Sequence, residues 1–257
     1  MSETADAHST QVRDEFAHQA DSFARSPTMS LAETLGVLVD LVPEDPEARW
    51  IEVACGPGLI ARGMASRVGS VVGLDLTPAM IEKARADAAG VENVSFELGD
   101  ATALDLPDDS LDGAITRFSL HHIPGPVRVL EEMRRVVKPG GYVVISDFVT
   151  DDDGASAAWQ EQIERLRDPS HWALLTPSRI AALGEQVGLE PDLDRIVAFE
   201  IDYEEWLHRA SGGPANVELI ERLRLEAPPS AESFIVTGEG NGRTLRYRNS
   251  LHRWRVP

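Results

Sequence analysis

The amino-acid sequence predicts an α/β fold whose mostly parallel sheet is covered by helices on both faces. Between residues 49 and 150, short apolar runs bounded by turn residues alternate with segments whose apolar residues recur at helical spacing. One predicted helix carries clear end signals, with Thr77 and Pro78 at its start and Gly90 after its end. Strands that alternate with helices form parallel sheets with right-handed crossovers, which is the architecture we expect.

The predicted elements follow in a regular order along the chain. Residues 1–12 lack periodicity and predict a disordered tail, and two helices follow at 15–26 and 30–42, the second with Ser30 as its N-cap. Five strands with intervening helices then run to residue 149, and 151–257 adds further helices and two more strands. We therefore expect one domain over 13–257, with opening helices at 13–48, a core at 49–150 and a covering part at 151–257.

Charge and composition exclude several classes of function. The chain has 257 residues and a formal net charge of -19, so nucleic acid and anionic membrane surfaces are unfavourable partners. Its N-terminus is acidic and polar, and no run of about 18 apolar residues is present. Cys55 is the single cysteine, and no Cys/His cluster has metal-ligand spacing. We expect a cytoplasmic protein without a metal, and for its assembly the sequence leaves a homodimer open.

Polar residues occur where the predicted strands end. Ligands of open parallel sheets bind beyond the carboxyl ends of the strands, which places 52–58, Asp75, Asp100, 117–122 and Asp147 along one rim. The turn "GPGLIA" matches a dinucleotide-binding pattern, with Asp75 at a suitable distance for a ribose. An NAD(P)-dependent oxidoreductase is therefore one alternative. The acids Glu52, Asp75 and Asp100 around one glycine turn instead favour a ligand that carries positive charge.

Four segments in succession resemble the motifs of class I S-adenosylmethionine-dependent methyltransferases. They are "WIEVACGPGLIA", "VVGLDLTPAMIEKA", "VSFELGDATALDLPDDSLDGAITRFSLHHI" and "EEMRRVVKPGGYVVISDF", and they cover residues 50 to about 148. The segments are most similar to the ubiquinone/menaquinone-biosynthesis branch. The resemblance implies a doubly wound, mostly parallel seven-stranded sheet of the Rossmann-like methyltransferase type. It also implies an antiparallel last strand, N-terminal lid helices and a helical cap after the fifth strand.

The resemblance implies a binding site for S-adenosylmethionine. Glu52 and the turn would hold the methionine part, Asp75 the ribose hydroxyls, and Asp100 the adenine amino group. The full set of implied cofactor-binding residues is Gln19, Phe23, Glu52, Ala54, Cys55, Gly56, Gly58, Asp75, Leu76, Met80, Asp100, Ala101, Arg117 and Phe118. Ala54 stands where glycine is commoner in the family and Glu52 where aspartate is commoner. Cys55 has no His or Lys beside it, which favours a small buried filler over a nucleophile.

Three histidines are candidates for catalysis because imidazole titrates near neutral pH. His121 and His122 follow the fourth strand, and His171 lies in the covering part. Each has an alternative interpretation as a packing histidine. Asp147 at the end of the fifth strand is a candidate for ordering the acceptor or a histidine, and Trp172 is a candidate for contacting the acceptor.

The predicted function is methyl transfer from S-adenosylmethionine to a small-molecule acceptor at O, C or N. The acceptor class suggested by the resemblance is aromatic, quinone-like or a natural product. Two alternatives to methylation remain besides the oxidoreductase. One is a cofactor-binding scaffold, and the other is an enzyme of this fold that catalyses a rearrangement or cyclisation without transferring the methyl group.

Overall fold

The computed structural model describes residues 3–26 and 32–257. The first half contains α1 (Glu3–Arg25), α2 (Ala32–Val39), β1 (Asp45–Val53), α3 (Leu59–Met64), β2 (Val68–Asp75), α4 (Pro78–Asp87), β3 (Val94–Leu98), β4 (Leu111–Arg117), α5 (Val127–Val136) and β5 (Val137–Phe148). The second half contains α6 (Gly154–Arg167), α7 (Pro177–Gln186), β6 (Glu190–Asp202), α8 (Tyr203–Arg209), α9 (Gly212–Ala215), α10 (Val217–Leu225), β7 (Phe234–Thr237) and β8 (Thr244–Arg255). The alternation of strands and helices expected from the sequence is present.

The strands form one sheet in the order β3-β2-β1-β4-β5-β8-β6, with β7 paired to β8. Neighbours from β3 to β5 are parallel, whereas β8 is antiparallel to β5, β6 and β7. The predicted doubly wound sheet with an antiparallel last strand is therefore confirmed. The short strand β7 was not predicted. It pairs with the part of β8 that extends beyond the end of β5, where Phe148 faces Asn249.

The central strands are buried because helices cover both faces of the sheet. On one face, α5 packs through Val129, Leu130, Met133 and Val136, which are fully buried against residues of β4 and β5. Complete burial of an aliphatic side chain of this size stabilises a fold by about 1.5–3 kcal/mol relative to exposure. This packing holds the carboxyl ends of β1, β2, β4 and β5 at one rim, where the polar residues of the sequence motifs lie.

The predicted disordered tail over 1–12 is wrong for residues 3–12, which form the first half of α1. A tertiary contact explains the difference, because the His8 side chain is buried and its Nε2 lies 2.8 Å from the carbonyl oxygen of His122. The predicted N-cap Ser30 lies outside the described residues. None of the helices in the described part of the chain is both long and apolar enough to cross a bilayer.

Candidate active site

The turn after β1 is held in left-handed backbone conformations. Ala54, Gly56 and Gly58 have φ values of +52°, +51° and +71°. The turn is fixed by hydrogen bonds from the Cys55 N–H to the Leu74 carbonyl at 2.9 Å and from the Gly58 N–H to the Cys55 carbonyl at 2.9 Å. A left-handed conformation costs a residue with a Cβ on the order of 1 kcal/mol, which explains why glycine suits position 54.

Gly58 packs the turn against the sheet instead of lining the cavity. A Cβ atom at this position would lie 2.3 Å from Cε1 of Phe96 and 3.3 Å from Cβ of Ala84. Gly58 is absent from the described lining of the main cavity. Gly58, predicted as a cofactor residue, thus does not line this cavity, and its contribution here is a close approach of the turn to β3 and α4.

Asp75 connects the carboxyl end of β2 to the turn after β1. Its Oδ2 accepts a hydrogen bond from the Gly56 N–H at 2.8 Å, and its Oδ1 accepts one from the Thr77 N–H at 2.8 Å. Burial raises the pKa of this carboxyl, and the backbone N–H donors oppose the shift. A carboxylate oxygen has two lone-pair directions, so each Asp75 oxygen can accept one further hydrogen bond from a ligand.

Glu52 and Arg117 are a buried acid and a buried base at the ends of β1 and β4. Burial raises the pKa of Glu52 to about 8, against the opposing influence of a hydrogen bond from the Ala61 N–H at 2.8 Å and of the Arg117 charge. Burial lowers the pKa of Arg117 to about 10, with Glu52 acting in the opposite direction. Glu52 is thus largely protonated at neutral pH despite the nearby Arg117 charge, and a further positive charge beside it would favour its ionised form.

Cys55 is a buried thiol, as the packing interpretation predicts. Its Sγ lies 3.5 Å from the carbonyl oxygen of Gly56, and burial raises the pKa of the thiol well above its usual value. The carboxyl groups of Glu52 and Asp75 add to this shift. Since the thiolate is the reactive form of cysteine, this environment disfavours nucleophilic chemistry at Cys55.

A cavity of about 460 Å³ opens at this rim, within the range of about 300–1,000 Å³ typical of small-molecule sites. The predicted cofactor residues that line it are Phe23, Glu52, Ala54, Cys55, Gly56, Asp75, Leu76, Met80, Asp100, Ala101, Arg117 and Phe118. At Asp100, Oδ1 accepts hydrogen bonds from the N–H and hydroxyl of Thr102 at 2.8 and 2.7 Å. Its Oδ2 receives no hydrogen bond from the described residues and is available to a ligand.

The wall opposite the turn is formed by α1. His8, Ser9, Val12, Phe16 and Phe23 of this helix line the cavity and make much of that wall apolar. The sequence did not identify His8, Ser9, Val12 and Phe16 as site residues. Their helical spacing, with neighbours one, three and four positions apart, is the signal that places them on one side of the helix. The helix α1 thus covers the cavity, in the position expected for the N-terminal lid.

Gln19, a second predicted lid residue, does not line the main cavity. Its Nε2 donates to Oε1 of Glu15 at 2.7 Å and to Oδ2 of Asp168 at 3.4 Å. These contacts place Gln19 beside a smaller cavity of about 20 Å³ that is separated from the main one by Phe16, Phe23, Phe118 and His122. Gln19 and Phe23 lie one turn apart on the same face of α1, and Phe23 borders both cavities whereas Gln19 borders the smaller one.

Of the three candidate catalytic histidines, the structure places His122 at the main cavity. His122 follows β4 in a short turn, and its Nδ1 lies 3.1 Å from both the carbonyl and the hydroxyl oxygen of Ser170. Burial lowers the pKa of His122 well below its usual value, and the neighbouring charge of His121 contributes to the same shift. His122 is therefore a neutral imidazole at neutral pH.

His121 is directed away from the main cavity and is paired with Asp147. Its Nδ1 lies 2.6 Å from Oδ1 of Asp147, and its backbone N–H donates to Oδ2 at 3.1 Å. Burial lowers the pKa of His121, but the Asp147 carboxylate outweighs burial and raises the pKa above the usual value. Asp147 orders a histidine, one of its two expected roles, and does not line the main cavity.

His171 and Trp172 are also placed away from the main cavity. His171 is buried in the cap, where its Nε2 lies 3.0 Å from Oε2 of Glu161. Trp172 is 38% exposed and packs edge-on against the His8 ring, with ring centroids 5.0 Å apart. These two residues therefore do not line the main cavity, and the segment that carries them is bonded to the His121 carbonyl through the N–H groups of Trp172 and Ala173.

Within residues 3–26 and 32–257, no group of three or more His, Cys, Asp or Glu side chains is arranged to hold a metal ion.

Residues 51–145 match a sequence family described as "Methyltransferase domain". The chain is 28% identical over 236 residues to the uncharacterized methyltransferase YcgJ of Bacillus subtilis, which spans 90% of this chain and 93% of that protein. It is 30% identical over 168 residues to a demethylmenaquinone methyltransferase of Renibacterium salmoninarum, which spans 65% of this chain and 70% of that protein.

Solved structures show the same arrangement. The crystal structure of Bacillus subtilis YcgJ superposes with a TM-score of 0.81 at 27% identity, covering 88% of this chain and 98% of that one. A structure of a Bacillus halodurans protein described as a methyltransferase superposes with a TM-score of 0.80 at 24% identity, covering 87% of this chain and 98% of that one. The second likeness concerns the fold alone.

Proposed function

The chain belongs to the class I S-adenosylmethionine-dependent methyltransferases, and from this premise we propose that it methylates a small molecule in the cavity between α1 and the rim of the sheet. The observation that carries the proposal is the continuity of this cavity. One part is bordered by the turn after β1 and by Asp75 and Asp100, whereas the α1 wall contributes Val12, Phe16 and Phe23.

The polar part of the cavity suits S-adenosylmethionine in its chemistry. Asp75 has one acceptor direction left on each oxygen for the ribose hydroxyls, and Oδ2 of Asp100 is available to the adenine amino group. Leu76 and Met80 supply apolar surface against which the adenine ring can pack between these two acids. When bound, the cofactor supplies a methyl group on a positively charged sulfur, which is the kind of charge that Glu52 favours.

The apolar part of the cavity suits the acceptor. Val12, Phe16 and Phe23 of α1 face Phe118 at the end of β4 across this space. Phe118 is itself held at φ +55° and stacks on Phe148 with ring centroids 4.1 Å apart. Methyl transfer needs an in-line approach of the acceptor atom, and orientation of this kind supplies about 7–11 kcal/mol in favourable cases. The acceptor class that fits these walls is a compact, largely apolar molecule.

His122 is the base that we assign to the site. It lines the cavity and is neutral at neutral pH because of burial and the adjacent His121 charge. Its Nε2 has no hydrogen-bond partner among the described residues and can accept a proton from an acceptor hydroxyl or amine. Asp147 raises the pKa of His121, and the positive charge of the protonated His121 ring lowers the pKa of the neighbouring His122.

Isothermal calorimetry with S-adenosylhomocysteine tests the cofactor site. We expect saturable binding with a stoichiometry of roughly one per chain, since one cavity of this size borders the turn. An acceptor screen with S-adenosylmethionine, read by mass spectrometry, should then yield a product that has gained one methyl group. Absence of binding to either compound would overturn the proposal, and binding with no turnover on any acceptor would favour a scaffold.

A further inference from the structure

The surroundings of His122 determine which of its ring nitrogens carries the proton. Nδ1 lies 3.1 Å from the carbonyl oxygen of Ser170, and a carbonyl oxygen can only accept a hydrogen bond. Nδ1 must therefore be the protonated nitrogen of the neutral ring. The lone pair then lies on Nε2, for which the described residues provide no partner, and the ring borders the main cavity.

Asp168 fixes the group that receives the Nδ1 hydrogen bond. Its Oδ1 accepts hydrogen bonds from the Ser170 N–H at 2.9 Å and from the Ser170 hydroxyl at 2.5 Å. Because the Ser170 hydroxyl donates its hydrogen bond to Asp168, its oxygen can accept a hydrogen bond from Nδ1 of His122, which lies 3.1 Å away. Asp168, Ser170 and His122 are all buried, so the chain of hydrogen bonds is shielded from water.

The remaining contacts of Asp168 hold it in place. Nη2 of Arg167 and Nε2 of Gln19 each lie 3.4 Å from its Oδ2. The positive charge of Arg167 outweighs burial and keeps the pKa of Asp168 well below its usual range. From α1, Phe16 packs edge-on against the His122 ring with ring centroids 4.8 Å apart. The His122 ring is therefore held by Ser170 at its Nδ1 edge and by the packing of Phe16 from α1.

We propose that Asp168, acting through Ser170, is a positioning residue that holds His122 in its Nδ1–H tautomer and directs Nε2 toward the acceptor. The proposal rests on the proposed function, in which His122 takes the acceptor proton. An unrestrained imidazole carries its proton mainly on Nε2, so the opposite tautomer needs support of this kind. Without an acceptor for the Nδ1 hydrogen, Nε2 would carry the proton and could not act as a base.

In the proposed methyl transfer, His122 takes up the proton that the acceptor loses. The acceptor proton moves to Nε2 of His122, the acceptor lone pair forms the new bond to carbon, and the carbon–sulfur bond electrons remain on sulfur. The imidazolium that forms donates its Nδ1–H to Ser170, whose hydroxyl is bonded to the Asp168 carboxylate. Titratable groups near the ring are His121, His171 and Asp168, together with His8 from α1. Asp168 is the nearby anion that stabilises the imidazolium.

Histidine NMR tests the proposal without an acceptor. The full chain with ¹⁵N-labelled histidine, saturated with S-adenosylhomocysteine, is recorded between pH 6 and pH 8, and His122 is assigned by the loss of its signals in His122→Gln. We expect a protonated Nδ1 and a bare Nε2 throughout this range. In Ser170→Ala and Asp168→Asn the ratio of Nδ1–H to Nε2–H should fall about 2- to 12-fold, the effect of losing one typical hydrogen bond.

Glu161→Gln is the matched control, because Glu161 contacts the buried His171 in the same cap. It should move the His171 signals and leave those of His122 unchanged. A wild-type His122 that is protonated on Nε2 at pH 7 would overturn the proposal, as would folded variants that keep the wild-type ratio. If Asp168→Asn does not fold, Ser170→Ala decides alone. A failure to bind S-adenosylhomocysteine would refute the proposed function separately, since the tautomer can also be measured without it.

Discussion

Replacement of Asp75 by alanine should weaken cofactor binding more than replacement of any exposed acid. Asp75 is 9% exposed and lies at the carboxyl end of β2, between the turn after β1 and the start of α4. Its two oxygens accept the N–H groups of Gly56 and Thr77 and retain one acceptor direction each for a ribose diol. Alanine removes both the ligand contacts and the anchor of the turn.

The expected magnitude follows from the number of hydrogen bonds. A hydrogen bond to a charged group contributes about 1.5–3 kcal/mol, so the loss of one ribose contact weakens binding about 10- to 150-fold. Loss of the second contact and of the Gly56 anchor can only increase this factor. Asp75→Asn retains one oxygen acceptor and should therefore give an intermediate affinity.

Calorimetric titration with S-adenosylhomocysteine measures these affinities, and circular dichroism at the same temperature establishes that each variant is folded. Asp87→Ala is the matched control, since Asp87 is a surface acid at the end of α4 that pairs with Lys83. It should bind like the wild type. A folded Asp75→Ala protein whose dissociation constant lies within about twofold of the wild type would refute the assignment of the ribose to Asp75, because no charged contact is that weak.

Three further predictions concern the turn, its acid and the buried ion pair. Ala54→Gly should raise the free energy of unfolding by about 1 kcal/mol in urea titrations because it relieves φ +52°, whereas Ala158→Gly in α6 should lower it by about 0.5–1 kcal/mol. Binding of S-adenosylmethionine should release roughly one proton at pH 7 as Glu52 ionises, a release that calorimetry detects as a dependence of the heat on the buffer and that Glu52→Gln should abolish. Asp147→Asn should destabilise the protein by about 3–5 kcal/mol at pH 6 and by less at pH 9. The raised pKa of His121 gives stability that is complete below its unfolded pKa of 6.5 and is lost as pH rises through the higher folded value, so an equal loss at both pH values would contradict the pairing.

The local patterns of the sequence were enough to predict the core of the fold and the cofactor rim. Strand and helix periodicity, together with the Thr77–Pro78 start of α4, are properties of neighbouring residues and are readable without the fold. The rule that ligands bind at the carboxyl ends of parallel strands then placed Glu52, Asp75 and Asp100 around one cavity, where the structure has them.

Contacts between distant segments decided what the sequence could not. Residues 3–12 have no strong helical pattern, yet they are helical in a structure where His8 meets a backbone oxygen 114 positions away. His121 and His122 are adjacent and chemically identical, but Asp147 raises the pKa of the first ring, whereas burial and the charge of His121 lower the pKa of the second. The sequence alone thus determined the sheet and the rim, which follow from local periodicity and spacing, and the family, which follows from the resemblance of four successive motifs. The different environments of His121 and His122 and the packing of α1 over the cavity depend on burial and on charge at short distance, which exist only after the chain has folded.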